Sequence, residues 1–403
     1  MQGITRGSDG FVTRRDRQRG VDGRDALDIA LGMVQEAVLV GHDAQPGADA
    51  QHLAGLQQEL GPGRPPDAGV AVGEGLVDQQ AAWGQAGQDL RQQRAPEVVG
   101  DDDRAKQAYL EFVPLDGKFR DNVIIQIKNG PVDFQPREAF NPLFGALRKT
   151  SEMVEFQITQ EYLGQANHLV YLAPLFKETL ESDTYSDGEG STIAKLTDGT
   201  LRPAKITAIS AVANIGEDAN WTGHHFAQSN WYAFGRLAWN HELTSEQIAE
   251  EWITMTFTDN EKFINPVKEM MLTSRETAVD YMMPLGLHHI FAGGHHYGPE
   301  PWGDYKGGRP DWSPVYYHQA DKNGVGFDRT KTGSNAVSQY FPPLNKIYGN
   351  IKTCPENLIL WFHHVPWDYK MKDGKTLWEE LCYKYDSGVH EVIDYQKIWD
   401  QME

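Results

Sequence analysis

Two acidic residues, Asp133 and Glu161, occupy positions from which a pair of carboxylates could share acid–base chemistry. Asp133 follows a short apolar run, Asn122–Lys128, and Glu161 closes a second run, Met153–Glu161. Successive parallel strands deliver their C-terminal ends to one edge of a sheet or one mouth of a barrel, so both carboxylates would enter the same cleft. There the two groups can divide the roles of acid and base. Alternatively, both are solvated loop acids or helix caps, because Asp and Glu are mostly exposed.

The alternation of side chains in the second run predicts a strand with two different faces. Val154, Phe156 and Ile158 share one face, whereas Glu155 and Gln157 lie on the other. A strand of an open parallel sheet covered on both sides should be apolar on both faces. A face that becomes polar toward the C-terminal end is typical of a barrel mouth, where active sites are built.

The segments around these runs extend the α/β pattern. Leu143–Lys149 is predicted as a helix between the two strands, His168–Leu180 as a second helix, and Ile206–Ile215 as a further buried strand. These strands are fewer than the eight of a complete barrel. We therefore predict an α/β fold, a partial (β/α)8 TIM-type barrel.

The chain divides into three predicted regions. Residues 1–103 contain no Lys, Asn, Tyr or Cys and read as a low-complexity, weakly structured segment, or else as a disordered tail that binds a partner. Residues 104–222 carry the barrel pattern. Residues 223–403 form a mainly α-helical C-terminal domain, with a capping-box signature at Thr244 and helices predicted at Asn265–Met283 and Val389–Gln401.

Composition limits the classes of function and location. The formal charge of −20 disfavours nucleic acid as a partner, because its phosphates would repel the chain. Cys354 and Cys382 are too few for a disulfide framework, and no run is long and apolar enough for a membrane span. Without a signal-peptide pattern, a cytoplasmic location is the default, and a secreted or periplasmic location stays open.

A histidine-rich stretch is the one candidate for metal binding. His288-His289 and His295-His296 lie close in sequence, but no metal-ligand spacing occurs there and adjacent histidines point apart. We interpret the stretch as an aromatic, Gly-rich loop and predict neither a metal nor another cofactor.

The strings KNGPVDFQPREAFNPLFGALRKT and EFQITQEYLGQ resemble the α-glucuronidases of glycoside hydrolase family 67. The resemblance runs from about Arg104 to the C-terminus. It implies that Asp133 and Glu161 are the pair that activates the attacking water and that Lys128 contacts the uronic acid carboxylate. The loop RPDWSPVYYHQADKNGVGFDRT also resembles the family, and Trp312 within it is predicted as an aromatic platform for the sugar.

The resemblance implies a specific reaction. Family 67 enzymes invert the anomeric centre as they release 4-O-methyl-D-glucuronic acid, α-1,2-linked to the terminal xylose of a xylooligosaccharide. The family's general acid lies upstream of the recognised stretch, where residues 1–103 carry no family motif, so we assign no acid and expect little or no activity from this chain. A non-catalytic uronate-binding remnant and another hexuronidase remain alternatives. A homodimer through the C-terminal domain is implied as well.

Overall fold

A three-stranded parallel sheet lies at the centre of the first half of the described chain. In this computed structural model the described residues are 103–213, 222, 224–288, 300–305 and 310–402, so nearly all of the predicted 1–103 segment lies outside them. The strands are β1 (Ile124–Lys128), β2 (Ser151–Gln157) and β3 (Ile209–Val212), in the spatial order β1-β2-β3. All neighbours are parallel, which confirms the three predicted strands, although β2 starts before the predicted Met153 and β3 starts after the predicted Ile206.

The predicted end of the second strand is wrong. β2 ends at Gln157, and Glu161 opens a one-turn 3-10 helix, Glu161–Leu163. The Glu161 backbone N–H donates to the Gln157 side-chain carbonyl at 3.0 Å instead of to a neighbouring strand. Gly164 then adopts the left-handed conformation (φ 63°), which favours glycine and ends the turn.

The predicted helix at Leu143–Lys149 is also wrong, because this segment consists of turns. Gly145 has φ 79°, a left-handed conformation that interrupts a right-handed helix. The buried Glu152 carboxylate accepts the backbone N–H groups of Gly145 and Leu147, at 2.9 and 3.1 Å. The turn therefore finds its hydrogen-bond partner on β2 rather than within a helix.

Ten α-helices are present in the described part of the chain. They are α1 (Gln107–Phe112), α2 (Ala173–Glu181), α3 (Ile193–Thr197), α4 (His225–Trp239), α5 (Ser245–Thr256), α6 (Glu261–Met282), α7 (Pro314–His318), α8 (Leu344–Tyr348), α9 (Ile359–Phe362) and α10 (Leu377–Asp400).

Capping residues explain where the predicted helices differ from the observed ones. The capping box predicted at Thr244 is confirmed at the start of α5. α6 starts four residues earlier than predicted, because the Asn260 side chain caps it, with Pro266 inside. α10 begins with a second capping box, Thr376 with Glu379, well before the predicted Val389. α2 begins at Ala173, and the next residue, Pro174, fits the first helical turn.

The sheet and the helices share one hydrophobic core. Val154 and Phe156 of β2 and Ile158 just after it are buried, and the Phe156 ring packs on Phe176 of α2 with centroids 4.5 Å apart. The same core continues through the buried indole rings of α4 and α5, such as Trp231. The structure thus has an α/β fold with a helical C-terminal part.

A second, smaller assembly surrounds a short antiparallel pair, β4 (Gly324–Val325) and β5 (Val365–Pro366). Here Arg329 is fully buried between the rings of Phe327 and Trp361, each 4.2 Å from its guanidinium carbon. Its Nε donates to the equally buried Asp103 carboxylate at 2.9 Å. This ion pair ties the start of the described chain to the C-terminal region. No helix of the described residues is long and apolar enough to cross a membrane.

Candidate active site

The site begins with an ion pair at the C-terminal end of β1. Lys128 is the last residue of the strand, and its ammonium donates to Asp133 Oδ1 at 2.8 Å. The ammonium also lies 4.6 Å from the centroid of the Phe134 ring. Burial opposes the charge, but the Asp133 carboxylate outweighs it and raises the pKa of Lys128. Lys128 therefore remains a cation, and Asp133 is held beside a fixed positive charge.

A buried tyrosine holds the other oxygen of the same carboxylate. The Tyr162 hydroxyl donates to Asp133 Oδ2 at 2.9 Å, and the tyrosine is 6% exposed. Burial, followed by the charges of Asp133 and Glu161, raises the pKa of the Tyr162 phenol well above 10. The phenol is thus a permanent hydrogen-bond donor near both predicted catalytic acids.

Glu161 reaches this site from the strand next to β1. It follows β2 and opens the 3-10 turn that also contains Tyr162. Because β1 and β2 are parallel neighbours, both chains arrive at the same edge of the sheet. Lys128 and Tyr162 thus hold the two oxygens of Asp133, and Glu161 precedes Tyr162 in the same turn.

The loop that carries Asp133 is built around one carboxylate, that of Glu138. It accepts the backbone N–H groups of Val132, Asp133 and Gln135 at 3.0 to 3.1 Å. Gly130 is required beside it, since a Cβ there would lie 2.3 Å from Glu138 Oε2. Burial raises the pKa of Glu138 to about 8, against the effect of these backbone donors.

Two buried arginines connect this loop to the helices. Arg137 pairs with Glu178 of α2 (2.8 Å) and with Glu276 of α6. Arg275 of α6 pairs with the same two glutamates, and its Nε donates to the Pro136 carbonyl at 3.1 Å. The helical part of the chain therefore supports the loop that presents Asp133.

The predicted sugar platform, Trp312, is partly exposed. Trp312 ends a 3-10 helix, Pro310–Trp312, and its side chain is 44% exposed. Its neighbour Asp311 pairs with Arg104 across 3.7 Å. Tyr317, on the α7 helix that follows, contributes to the raised pKa of Tyr162. The role of Trp312 as a sugar platform stays a prediction.

The histidine-rich stretch is described only at His288, because His289, His295 and His296 lie outside the described residues. The His288 ring is buried, 4.5 Å from Tyr317 and 4.8 Å from Trp361 between centroids. Within the described ranges, no group of three or more His, Cys, Asp or Glu side chains is arranged to hold a metal ion.

A cavity of about 150 Å³ lies at the opposite, N-terminal edge of the sheet and is lined by several cations, among them Arg148 and Arg202. Both of these arginines donate to Asp187 and to backbone carbonyls. These two arginines are thus hydrogen-bonded within the fold, and the cavity is separate from the site at Asp133.

Sequence reasoning missed Tyr162 and Glu138. Tyr162 lies in a 3-10 turn, where neither the strand nor the helix period indicates which way a side chain points. Glu138 is one acid in a proline-containing loop, and only the folded loop shows that it accepts three backbone donors. The string QEYLGQ contains Tyr162 beside Glu161, and this adjacency was the available signal.

Comparison with known proteins gives consistent matches. A profile of the glycosyl hydrolase family 67 middle domain matches residues 92–221, and a profile of the glycosyl hydrolase family 67 C-terminus matches residues 222–403. Alpha-glucuronidase A of Emericella nidulans is 40% identical over 301 residues, which are 74% of this chain and 35% of the relative.

Two further relatives agree with this match. Probable alpha-glucuronidase A of Aspergillus niger is 38% identical over 75% of this chain, and alpha-glucuronidase A of Aspergillus tubingensis is 37% identical over 74%. In both cases the match covers 35% of the relative, so the chain spans about a third of the length of these proteins.

Proposed function

Because the chain belongs to glycosyl hydrolase family 67, we propose that it acts in glycoside hydrolysis, with Asp133 and Glu161 holding and activating the attacking water. The reaction is the inverting release of α-1,2-linked D-glucuronic acid, or its 4-O-methyl ether, from xylooligosaccharides. The observation that carries the proposal is the Asp133 carboxylate, held between the Lys128 ammonium and the Tyr162 hydroxyl, with Glu161 beside Tyr162 in the same turn.

The charges around the site suit a uronic acid. Lys128 carries three N–H donors, and Asp133 takes one of them at 2.8 Å. The substrate carboxylate would bind to the same ammonium, in a charge-assisted contact that neutral xylose cannot make. Trp312 would lie against a sugar face. The net charge of −20 makes such a local cation necessary for an anionic substrate.

An inverting hydrolase needs a base on one side of the bond and an acid on the other, with carboxyl groups roughly 6.5–9.5 Å apart. In our proposal Asp133 and Glu161 form the base side. We assign no described residue as the general acid. Because general acid catalysis typically contributes about 10²–10⁴-fold, we expect turnover of xylan-derived aldouronic acids by this chain to be low.

We extend the proposal to the architecture and the partners. The sequential parallel order β1-β2-β3, with the site at the C-terminal strand ends, supports part of a (β/α)8 barrel in residues 104–222. Residues 223–403 would then be the helical domain, whereas the predicted segment 1–103 lies almost wholly outside the described residues. Exposed Val389, Val392 and Ile393 on α10 support a homodimer through that domain. A cytoplasmic location remains part of the proposal.

An activated substrate tests the assigned carboxylates without the general acid. The substrate is α-D-glucopyranosyluronic acid fluoride, since fluoride leaves without protonation. We expect fluoride release with the β-anomer as the first product by NMR, and loss of at least about 100-fold in Asp133→Asn and Glu161→Gln. Glu242→Gln removes an exposed carboxylate outside this site and should retain the rate.

Two results would contradict the proposal: release of the α-anomer first, or equal rates in all three variants. Calorimetry with D-glucuronate separates the alternatives. Binding that is lost in Lys128→Met, without fluoride release by the wild type, would favour a uronate-binding remnant. Fluoride release from another uronosyl fluoride, but not from the glucuronosyl fluoride, would favour another hexuronidase.

A further inference from the structure

We propose that Tyr162 is a positioning residue, which fixes the orientation of the Asp133 carboxylate toward the attacking water. The inference rests on the proposed function and extends it to a residue outside the predicted pair. Its basis is the hydrogen bond of 2.9 Å from the Tyr162 hydroxyl to Asp133 Oδ2, opposite the 2.8 Å contact of Lys128 with Oδ1.

The two donors act on different oxygens of the same carboxylate. A carboxylate with one bound oxygen can still rotate about its Cβ–Cγ bond, a broad torsion with weak intrinsic preference. With both oxygens held, the remaining lone pairs point in fixed directions. The backbone of Asp133 is held as well, since its N–H donates to Glu138 at 3.1 Å. Side chain and backbone are therefore both fixed before a substrate arrives.

The chemistry of the phenol suits positioning rather than proton transfer. Burial and the charges of Asp133 and Glu161 keep Tyr162 protonated throughout the physiological pH range. A group that keeps its proton cannot act as the base, so Tyr162 acts on Asp133 as a hydrogen-bond donor. Lys128 is 42% exposed in its side chain and open to the substrate, whereas Tyr162 is buried. Tyr162 is thus the donor that does not have to be shared with the uronate.

The clearest consequence is a separation of kcat from KM. Removing the hydroxyl in Tyr162→Phe frees Asp133 Oδ2 but leaves Lys128 and the exposed Trp312 in place to bind the sugar. A carboxylate displaced by about 1 Å can cost about 100-fold in rate. For α-D-glucopyranosyluronic acid fluoride we expect kcat to fall about 10- to 100-fold, with KM changed less than about threefold.

Tyr171→Phe is the matched control. Tyr171 is also buried, at 2% exposure, and its hydroxyl donates to the Ser245 carbonyl at 3.0 Å, within the helical core. Both variants lose one phenolic hydrogen bond, so a general loss of stability would affect them alike. Only Tyr162→Phe should lower kcat. Equal kcat in the two variants, or a change in KM alone, would overturn the positioning role.

A second measurement does not depend on turnover. Tyrosine labelled with ¹³C at Cζ gives one resonance per ring, and the Tyr162 resonance is the one missing from Tyr162→Phe. In Asp133→Asn the hydroxyl loses its charged acceptor, so the chemical shift of the Tyr162 resonance at neutral pH should differ from that of the wild type. An unchanged chemical shift would show that Asp133 and Tyr162 are not in contact, which would also overturn the inference.

The two measurements separate the two claims. A wild type that releases no fluoride refutes the proposed function, and the labelled tyrosine then decides whether Tyr162 holds Asp133. If the wild type releases fluoride and Tyr162→Phe has the same kcat, the positioning role is refuted and the proposed function stands.

Discussion

At the scale of single residues, Glu138 has the largest influence on the shape of the site loop. Its carboxylate gathers three backbone N–H groups around the turn that presents Asp133. Glu152 does the same for the turn at Gly145 and Leu147. In each case a buried acid replaces the regular secondary structure that would otherwise satisfy these backbone groups.

These two acids predict how stability depends on pH. Burial raises the pKa of both Glu138 and Glu152 from 4.5 to about 8 in the folded chain. Between these values the folded chain binds more protons than the unfolded chain, so the free energy of unfolding falls as the pH rises from 4.5 to 8. The fall is at most about 1.4 kcal/mol per pH unit for each group. Urea denaturation at a series of pH values measures it.

Glu138→Gln and Glu152→Gln should each flatten this slope, whatever their absolute stability. Glu379→Gln serves as the control. Hydrogen bonds from the Thr376 backbone and hydroxyl lower the pKa of Glu379, so its contribution changes only in the acid range. If the free energy of unfolding of the wild type did not change between pH 5 and 8, the raised pKa values of Glu138 and Glu152 would be contradicted.

The site residues differ in how far the sequence could predict them. Lys128 ends β1, and Asp133 and Glu161 follow a few residues after β1 and β2, so alternation with period two locates these residues approximately. The partners Tyr162 and Glu138 act through hydrogen bonds that form only when a turn closes. No periodicity encodes these contacts, so only the folded chain reveals them.

At the scale of elements, contacts that periodicity does not encode also explain why the predicted helix between β1 and β2 is not formed. Apolar Leu143, Phe144 and Leu147 recur at helical spacing, but they are buried as a compact turn instead. The strand pairing was predictable because it follows from the apolar runs themselves. The connection was not, because one left-handed glycine and one carboxylate on β2 determine its path.

Gly145→Ala tests this explanation. A Cβ at Gly145 would lie 2.5 Å from the Ser186 side chain, in addition to the cost of φ 79°. We expect a loss of about 2–4 kcal/mol in the free energy of unfolding, from backbone strain and overpacking together. Chemical denaturation measures the loss.

Gly188→Ala separates the two contributions. Gly188 has a similar left-handed conformation, φ 94°, but no heavy atom lies within 4 Å of its added Cβ. Its replacement should cost only the conformational term of about 1–2 kcal/mol. If the two alanine variants were equally stable, packing against Ser186 would not be what holds the turn.

At the scale of the whole molecule, the helical part acts as the support of the site. Arg137 and Arg275 share Glu178 and Glu276, so the loop behind Asp133, α2 and α6 are joined in one network. Arg137 is 3% and Arg275 5% exposed in their side chains, where a lost partner would leave a buried charge unpaired. The resemblance in sequence covered both parts of this network, but it did not indicate which charges meet.

The last helix also provides the surface for the proposed homodimer. One face of α10 packs on α6 so closely that a Cβ at Gly388 would lie 2.8 Å from the Tyr281 nitrogen. Beside this contact, Val389, Val392 and Ile393 are each about half exposed and recur at helical spacing. Clustered exposed apolar side chains are typical of protein interfaces. We expect the chain to sediment as a dimer at micromolar concentration.

The double variant Val389→Glu with Ile393→Glu should convert this dimer to a monomer, because two carboxylates from each copy would be buried against one another. Since both side chains are exposed in the single chain, the monomer should keep its helical circular dichroism. Asp394→Lys changes an exposed charge on the same helix away from the apolar stripe and should remain dimeric. A wild type that sediments as a monomer, or a double variant that stays dimeric, would place the contact elsewhere.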